Sequence, residues 1–368
     1  MRVALPYGRR PYPIDLRGAR ILEAPVQPAP RPLDELLDAA LAAPIGAALP
    51  RIAPSDRVTV IVSDPTRKEP RAAMLAALRR HLPGGRPTIA VATGTHGPCD
   101  VGALGIAEPV INHDGASDIV ELGTTRRGTP VRVHRCLVET DHVLATGCIR
   151  PHYFAGFGAG AKALFPGLGE RTAIRINHRL KTEAGARAGI VDGNPCREDL
   201  EEAARMVTAP AFLLNAVAGP DDQIHAAVAG DLLAAFRAGA ALAKPWFTVR
   251  APRSPLVVAS DTLPVTATLY QAAKIAAAVA PLVAEGGRLV LVAECAEGTG
   301  PLDVVNDAIL RIGVLPRLPP GATIGLVSAL PPEVVSRTLL SAVTELPALT
   351  SDALVIPRAS QLICEPSS

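Results

Sequence analysis

The hydrophobic positions of this chain fall into short apolar runs separated by helix-like stretches. The runs RVTVIVS (57–63) and PTIAVATG (87–94) are rich in β-branched and small apolar residues, which predicts two buried strands. The intervening KEPRAAMLAALRRHL predicts a helix that ends at Pro83-Gly84-Gly85. A strand, helix and strand in this order are typical of a parallel sheet with a right-handed crossover.

A second series of the same kind follows a proline-rich stretch at 244–256. The runs LVVAS, RLVLVAE and ATIGLVSAL predict strands, and TATLYQAAKIAAAVAPLV and PEVVSRTLLSAV predict helices. We therefore predict an α/β protein with two domains: a mixed α/β domain with a parallel sheet at 1–248, and a smaller Rossmann-like domain at 249–351. The tail at 352–368 is expected to form one strand and to pack back on the first domain.

The segment between these two series predicts mostly helices over 181–248, with FLLNAVAGP as a strand. Asn194 is placed to cap one of the helices, with Pro195 at its first position. The Rossmann-like series lacks GxGxxG, so a nicotinamide or flavin dinucleotide is not indicated.

Composition limits the classes of partner. The 368 residues carry a net charge of +2 with 20% charged and 3% aromatic residues, which argues against nucleic acid and membrane surfaces. The N-terminus has no apolar signal-like region and no run approaches the length of a membrane helix, so we expect a cytoplasmic protein. The six cysteines form no CxxC pair and are expected to be free thiols.

The stretch most suggestive of chemistry is GCIRPHYFAGFGAGAKALFPGLGERTAIRINHR (147–179), which contains His152, Lys162 and His178. Its glycines allow backbone to lie close to a bound group and can present N–H donors to an anion. A lysine there is either a phosphate partner or, if desolvated, a nucleophile. Four further candidates follow the first two predicted strands, at the edge where parallel sheets bind ligands. These are Asp64, Thr66, Arg67 and His96.

The histidines suggest acid/base chemistry. Two such groups facing each other across a substrate could move a proton on and off one carbon from opposite faces, as inversion of a stereocentre requires. His96 and His152 have the best context for this, whereas His113 and Asp114 are expected to form a structural hydrogen bond. The chain has no HxH, HExxH, GxSxG or P-loop motif, although histidines distant in sequence could still converge on a metal.

Taken together, these strings resemble the nickel-dependent lactate racemase family. The resemblance rests on six strings that keep the family's order and spacing. They are SDPTRKEP (63–70), ATGTH (92–96), NHD (112–114), GCIRPHYFAGFGAGAKALFPGLG (147–169), INH (176–178) and YQAAK (270–274).

The resemblance implies a covalently bound nickel-pincer nucleotide, a pyridinium mononucleotide whose two sulfur-containing arms hold nickel. Lys162 would carry the cofactor through a thioamide, and His178 would be the protein ligand to nickel. His96 and His152 would be the acid/base pair. The residues expected to line the cofactor and substrate pocket are Asp64, Thr66, Arg67, Gly158 and Gly160. Gln271 and Lys274 of the second domain would close over the substrate carboxylate, which Arg67 would also bind.

The implied activity is inversion of C2 of a 2-hydroxy acid by proton-coupled hydride transfer, with cofactor-biosynthesis enzymes as partners. The chain departs from the family at Gly97, where a basic residue is usual, and at Ala159, where adjacent glycines are frequent. The first change bears on the substrate and the second adds a methyl group near the cofactor. Two alternatives are a metal-dependent hydrolase using the same histidines, and a carrier of the cofactor without turnover.

Overall fold

The computed structural model of the protein describes residues 1–367 as a mixed α/β chain. Its strands are β1 Arg2–Leu5, β2 Tyr12–Asp15, β3 Arg20–Ile21, β4 Arg57–Ser63, β5 Arg86–Ala92, β6 Val110–Asn112, β7 Ile119–Thr124, β8 Pro130–His134, β9 His142–Ile149, β10 Pro151–His152, β11 Gly156–Phe157, β12 Ala211–Ala218, β13 Ile224–Asp231, β14 Thr248–Ala251, β15 Ser254–Ser260, β16 Val283–Val292, β17 Thr323–Val327, β18 Ser341–Ala342, β19 Ala353–Ile356 and β20 Ile363–Pro366. Its α-helices are α1 Leu33–Ala42, α2 Arg71–His81, α3 Arg171–Arg179, α4 Pro195–Arg205, α5 Ala234–Phe247, α6 Leu269–Val279 and α7 Pro332–Val335, and a π-helix spans Val304–Val314.

The chain forms two compact units. The central unit comprises Val26–Trp246, and the discontinuous unit comprises Met1–Pro25 together with Phe247–Ser368. The first residues of the chain therefore belong with its C-terminal part, which differs from the predicted domain of 1–248. They do so because β3 adds a parallel strand to the sheet of the discontinuous unit, beside β19.

The central unit contains a six-stranded sheet in the order β13-β12-β9-β4-β5-β6. Every neighbouring pair is parallel except β12 and β13 at one edge. Ile61 and Val62 of β4 and Met74 of α2 are fully buried. Burying an aliphatic side chain of this size contributes roughly 1.5–3 kcal/mol, so these runs hold the strands in the core. Because β4 and β5 are adjacent and parallel, the loops that follow them emerge at the same edge.

The discontinuous unit contains an all-parallel six-stranded sheet in the order β18-β17-β16-β15-β19-β3. Its inner strands β15, β16, β17 and β19 are buried on both faces, as in a Rossmann-like unit: α6 and the π-helix belong to one apolar cluster, and the N-terminal strands belong to the other. This architecture agrees with the predicted Rossmann-like series.

Three sequence-based expectations were wrong. The tail forms two strands where one was expected: β19 lies between β15 and β3, and β20 pairs with β14, all in the discontinuous unit. The helix predicted over PEVVSRTLLSAV is limited to α7, and the chain turns into β18. The region 181–248 contains a second strand, β13, whose small residues IHAAVAGD pair with β12 along an edge.

Candidate functional site

Two charged side chains, Arg71 and Glu69, fix the backbone of the loop after β4. Arg71, in the first turn of α2, donates from Nε to the Ser63 carbonyl at 2.6 Å and from Nη2 to the carbonyls of Asp64 and Arg67. Glu69, whose side chain is fully buried, accepts from the Ser63 amide at 2.7 Å and from the Thr146 hydroxyl. The backbone that presents Asp64 is thus fixed by charge-assisted hydrogen bonds.

Asp64 and His96 form a pair across the two loops. The Asp64 carboxylate is buried and lies 3.1 Å from Nδ1 of His96. Thr66 donates to the other carboxylate oxygen from both its amide and its hydroxyl. Burial alone would raise the pKa of Asp64, but the hydrogen bonds from His96 and Thr66 outweigh it and lower that pKa from 3.8 to about 2. Asp64 is therefore ionised, and Nδ1 of His96 must be the donor.

The His96 loop also packs against the central stretch. The Gly94 amide donates to the Gly167 carbonyl at 3.0 Å, and the His96 amide donates to the Thr93 carbonyl at 2.9 Å. The side chain of His96 is 42% exposed. One imidazole nitrogen is thus tied to a carboxylate while the ring keeps access to solvent.

His152 lies in the two-residue strand β10, which pairs with β11. Its Nδ1 accepts a hydrogen bond from the Ala155 amide at 3.3 Å, so Nε2 carries the hydrogen in the neutral ring. Burial, followed by the positive charges of Lys162 and Arg67, lowers the pKa of His152 well below its usual 6.5. The ring is therefore neutral at physiological pH.

The ring of Phe154 joins the candidate residues of the central stretch. His152 packs edge-on against it at 4.5 Å between ring centroids, and His178 does so at 5.0 Å. The Lys162 amine lies 5.6 Å from the centroid of the same ring. Phe154 itself is only 5% exposed. The structure therefore brings His152, Lys162 and His178 together around one aromatic side chain.

Lys162 occupies a 3₁₀ turn, Gly160–Ala163, at the end of the glycine-rich run. Burial, followed by the charges of Arg197 and Arg67, lowers the pKa of its amine well below 10.5. A neutral amine carries a free electron pair, so this environment favours the nucleophilic role over a phosphate contact.

His178 lies on α3, and the residue before it, Asn177, anchors this helix. Asn177 is fully buried and donates to Asp199 of α4 at 2.7 Å, while Asp199 also accepts from Thr125 and Thr129. Burial, followed by the charges of Lys162 and Lys181, lowers the pKa of His178 to about 3. The imidazole is neutral and can donate an electron pair to a metal.

Gly158 and Gly160 do not offer their amides to a ligand. The Gly158 amide donates to the Arg150 carbonyl at 2.8 Å, and the Gly160 amide donates to Oδ1 of Asn215 at 3.0 Å. Gly160 has φ +64°, and a Cβ there would lie 2.6 Å from the Phe236 ring. The glycine at 160 is thus explained by close packing, and the expectation of an anion-binding run is not supported at these two amides.

Sequence reasoning missed Arg197 of α4. It is fully buried, and its guanidinium donates to the carbonyls of Ala155, Phe157 and Ala159. Its charge also lies 4.1 Å from the centroid of the Phe236 ring. An arginine in a stretch as charged as CREDLEE is normally solvated. Its burial here is explained by these three carbonyls, which belong to alternate residues of one loop and accept its hydrogen bonds.

His113 is structural, as expected, but its partner is not Asp114. Its Nε2 donates to the Gly169 carbonyl at 2.8 Å, and the ring is 1% exposed. Asp114 instead accepts from the amides of Ala116 and Ser117 and from the Ser117 hydroxyl. The pair therefore ties two loops beside the His96 segment.

Comparison with known proteins identifies the family. The family model described as the lactate racemase N-terminal domain matches residues 7–189. The lactate racemase of Thermoanaerobacterium thermosaccharolyticum is 29% identical, over 84% of this chain and 81% of that protein. The lactate racemase of Lactiplantibacillus plantarum is 30% identical, over 66% of this chain and 61% of that protein. The chain belongs to the lactate racemase family.

Solved structures agree on the fold. The lactate racemase apoprotein from T. thermosaccharolyticum matches with a TM-score of 0.82 at 23% identity, covering 99% of this chain and 100% of that chain. A protein from Thermotoga maritima matches with a TM-score of 0.67 at 15% identity, covering 91% and 97%. The predicted α/β class and the resemblance to a family of isomerases are confirmed.

Two departures from the family pattern have visible consequences. Ala159 has φ +64° and ψ −160°, a region that only glycine adopts without strain. Gly97 has φ +81°, and the atom nearest to a Cβ built there is Nη2 of Arg171 at 3.9 Å. The first departure stores strain three residues before Lys162, and the second leaves an arginine beside the residue that follows His96.

Gln271 and Lys274 lie on α6 of the discontinuous unit. The Lys274 amine donates to Oε1 of Gln271 at 2.5 Å and lies 5.4 Å from the centroid of the Tyr270 ring. Thr268 caps the helix by accepting from the Gln271 amide. The two side chains thus form a single polar pair near the start of the helix, and their role in substrate binding stays a prediction.

Within residues 1–367, no helix has the length and hydropathy to cross a membrane. Over the same part of the chain, no group of three or more His, Cys, Asp and Glu side chains could hold a metal ion. All six cysteines are free thiols, as expected.

Proposed function

We propose that this chain inverts the C2 stereocentre of a 2-hydroxy acid, using a nickel-pincer nucleotide. Lactate is the substrate in the names of its relatives. The observation that carries the proposal is the arrangement around Phe154, whose ring contacts His152, His178 and the Lys162 amine. A desolvated amine and two imidazoles suit covalent attachment, metal ligation and proton transfer in one place.

The residues present fit this cofactor in two respects. Lys162 is a desolvated amine, able to form a bond to a carboxyl-derived sulfur group. His178 supplies one imidazole, and residues 1–367 contain no group of three or more His, Cys, Asp and Glu side chains that could hold a metal ion. A single protein ligand suits a metal whose other donors come from the cofactor. Sulfur and imidazole donors together favour nickel in a square-planar site. When bound, the group would supply an electron-poor centre able to accept and return the C2 hydride.

The Asp64–His96 pair is arranged to take the hydroxyl proton of the substrate. Because Nδ1 of His96 donates to the ionised carboxylate, Nε2 is the nitrogen available to a substrate oxygen. The carboxylate also stabilises the imidazolium that forms. His96 is thus oriented by a group that the sequence places 32 residues earlier.

His152 is in a different state. Its Nδ1 is occupied by the Ala155 amide, so the neutral ring presents an N–H to a substrate oxygen. To accept a proton it must release that 3.3 Å bond and become charged in a buried, positively charged environment. The two histidines therefore differ in their hydrogen bonds: Nδ1 of His96 donates to a carboxylate, whereas Nδ1 of His152 accepts from an amide.

Arg67 supplies the charge for the substrate carboxylate. It follows Asp64 in the same loop, and its side chain is exposed. Among residues 1–367 no acceptor bonds to its guanidinium, although its carbonyl is held by Arg71. An arginine with unoccupied donors can bind a carboxylate through two parallel hydrogen bonds.

The test is a chiral assay on protein co-expressed with the cofactor-making enzymes, using a panel of 2-hydroxy acids. We expect each enantiomer of at least one acid to approach the same racemic mixture. The hydrolase alternative predicts instead hydrolytic turnover with added zinc and no cofactor, and the carrier alternative predicts cofactor without turnover. Either result with no racemisation across the panel would reject the proposal.

A further inference from the structure

Arg171 stands at the start of α3, beside the His96 loop. Its amide donates to the Gly115 carbonyl at 2.9 Å, and Nη2 donates to the Asp114 carbonyl at 3.0 Å. The side chain turns back from the helix over the segment that follows β5. The residue is exposed, so the remaining guanidinium N–H groups face solvent.

This guanidinium lies beside the residue next to the base. Gly97 directly follows His96, and among residues 1–367 the only atom outside its neighbours within 4 Å of a Cβ built at Gly97 is Nη2 of Arg171. Glycine at this position leaves no side chain between the arginine and the surface around His96. The positive φ of +81° would strain any other residue there.

The charge of Arg171 is not neutralised. Throughout the described chain, residues 1–367, no carboxylate is within ion-pair distance of Arg171. Asp114, whose carbonyl accepts from Arg171, uses its carboxylate for the amides of Ala116 and Ser117 and the Ser117 hydroxyl. A guanidinium without an anion, beside an acid/base residue, is a binding site for carboxylate or phosphate.

We propose that Arg171 binds a second anionic group of the substrate, so that the preferred substrates are 2-hydroxy dicarboxylates. The inference rests on the proposed function and names its substrate class. Arg67 belongs to the same loop as Asp64, and Arg171, at the start of α3, lies beside the residue that follows His96. One arginine is needed for the carboxylate at C1, and the second then selects acids that carry another carboxylate.

The first experiment measures selectivity in the loaded enzyme. Racemisation of malate is compared with that of 2-hydroxybutyrate, which has the same carbon count but no second charge. We expect wild type to favour malate, and Arg171→Gln to lower the malate to 2-hydroxybutyrate ratio of kcat/KM at least tenfold, since a hydrogen bond to a charged group is worth about that factor. Arg205→Gln, an exposed arginine at the end of α4, should leave the ratio unchanged.

The second experiment needs no turnover. Phenylglyoxal modifies exposed arginines of the apoprotein, and peptide mass spectrometry reports the rate at Arg171. We expect malate or succinate to slow this modification at least threefold more than lactate or 2-hydroxybutyrate at equal ionic strength. Modification at Arg205 should not respond.

The two experiments separate the two ideas. Racemisation with an Arg171→Gln selectivity ratio like that of wild type would overturn the role of Arg171 and leave the proposed function intact. Selective protection of Arg171 without racemisation of any acid would support the anion site and reject the proposed function. Equal protection by mono- and dicarboxylates would overturn the inference whatever the assay shows.

Discussion

Nδ1 of His96 lies 3.1 Å from the carboxylate of Asp64, and this contact joins the loops that follow two adjacent parallel strands. The carboxylate is buried, ionised and held by Thr66, so it fixes both the orientation and the tautomer of the imidazole. In a carboxylate–histidine pair of this kind, the outer ring nitrogen is left free to exchange a proton with a substrate.

Asp64→Asn should destabilise the fold by about 2 kcal/mol at pH 7, as estimated from its lowered pKa. The folded pKa of Asp64 is about 2 against 3.8 in the free residue, so its stabilisation is present above about 3.8 and is lost as the pH falls towards 2. Urea unfolding of wild type and variant at several pH values measures this. A difference in unfolding free energy that stays constant from pH 7 to pH 2.5 would contradict the assigned hydrogen bonds to the Asp64 carboxylate.

His96→Ala and His152→Ala should each keep the bound cofactor and lose inversion, by roughly 10²–10⁴-fold in kcat, as expected for removal of an acid/base group. Chiral chromatography after co-expression measures the rate, and intact mass measures the cofactor. His81→Ala, which removes a histidine paired with Asp38 on α1, is the control. Racemisation near the wild-type rate in either variant would remove that residue from the mechanism.

Ala159→Gly should stabilise the protein by about 1 kcal/mol, because glycine adopts φ +64° and ψ −160° without the strain that alanine bears. Thermal or urea unfolding of the apoprotein measures the change. Ala161→Gly, two residues on in the buried 3₁₀ turn, should instead destabilise by about 1 kcal/mol. Equal destabilisation by both substitutions would show that residue 159 is not strained.

Arg197→Met should destabilise the central unit by at least about 3 kcal/mol, since three buried carbonyls would lose their donor at once. Arg197→Lys keeps a charge and can donate to some of these carbonyls. Its unfolding free energy should therefore lie between those of wild type and Arg197→Met. Arg205→Met on the same helix should change the unfolding free energy by no more than about 0.5 kcal/mol. A small effect of Arg197→Met would mean that the carbonyls find other partners.

The sequence predicts much of the fold because local patterns decide it. The β-branched run RVTVIVS is the strand β4, residue for residue, and Asn194 caps α4 by accepting from the Arg197 amide. The alternation of strand and helix was enough to place Asp64 and His96 at one edge of a parallel sheet. Their direct contact follows from that topology, although 32 residues separate them.

Other features depend on long-range pairing that no local pattern encodes. The tail strand β19 is apolar, which predicts a strand but not its place in the sheet. Its position between β15 and β3 depends on pairing with both of these strands. The local sequence predicts that Arg197 is a solvated charge on a helix. Its burial is explained only by carbonyls about 40 residues away in the chain. Strand β13 was missed because its alanine-rich sequence has weak strand propensity.

The most direct test of the central claim is the denatured mass of the protein purified after co-expression with the cofactor-making enzymes. We predict that wild type carries a covalent nucleotide adduct that maps to the peptide containing Lys162, and that Lys162→Ala has the unmodified mass. Lys68→Ala, at an exposed lysine paired with Asp222, should keep the adduct. An adduct of unchanged mass on Lys162→Ala, or none on wild type, would contradict the account.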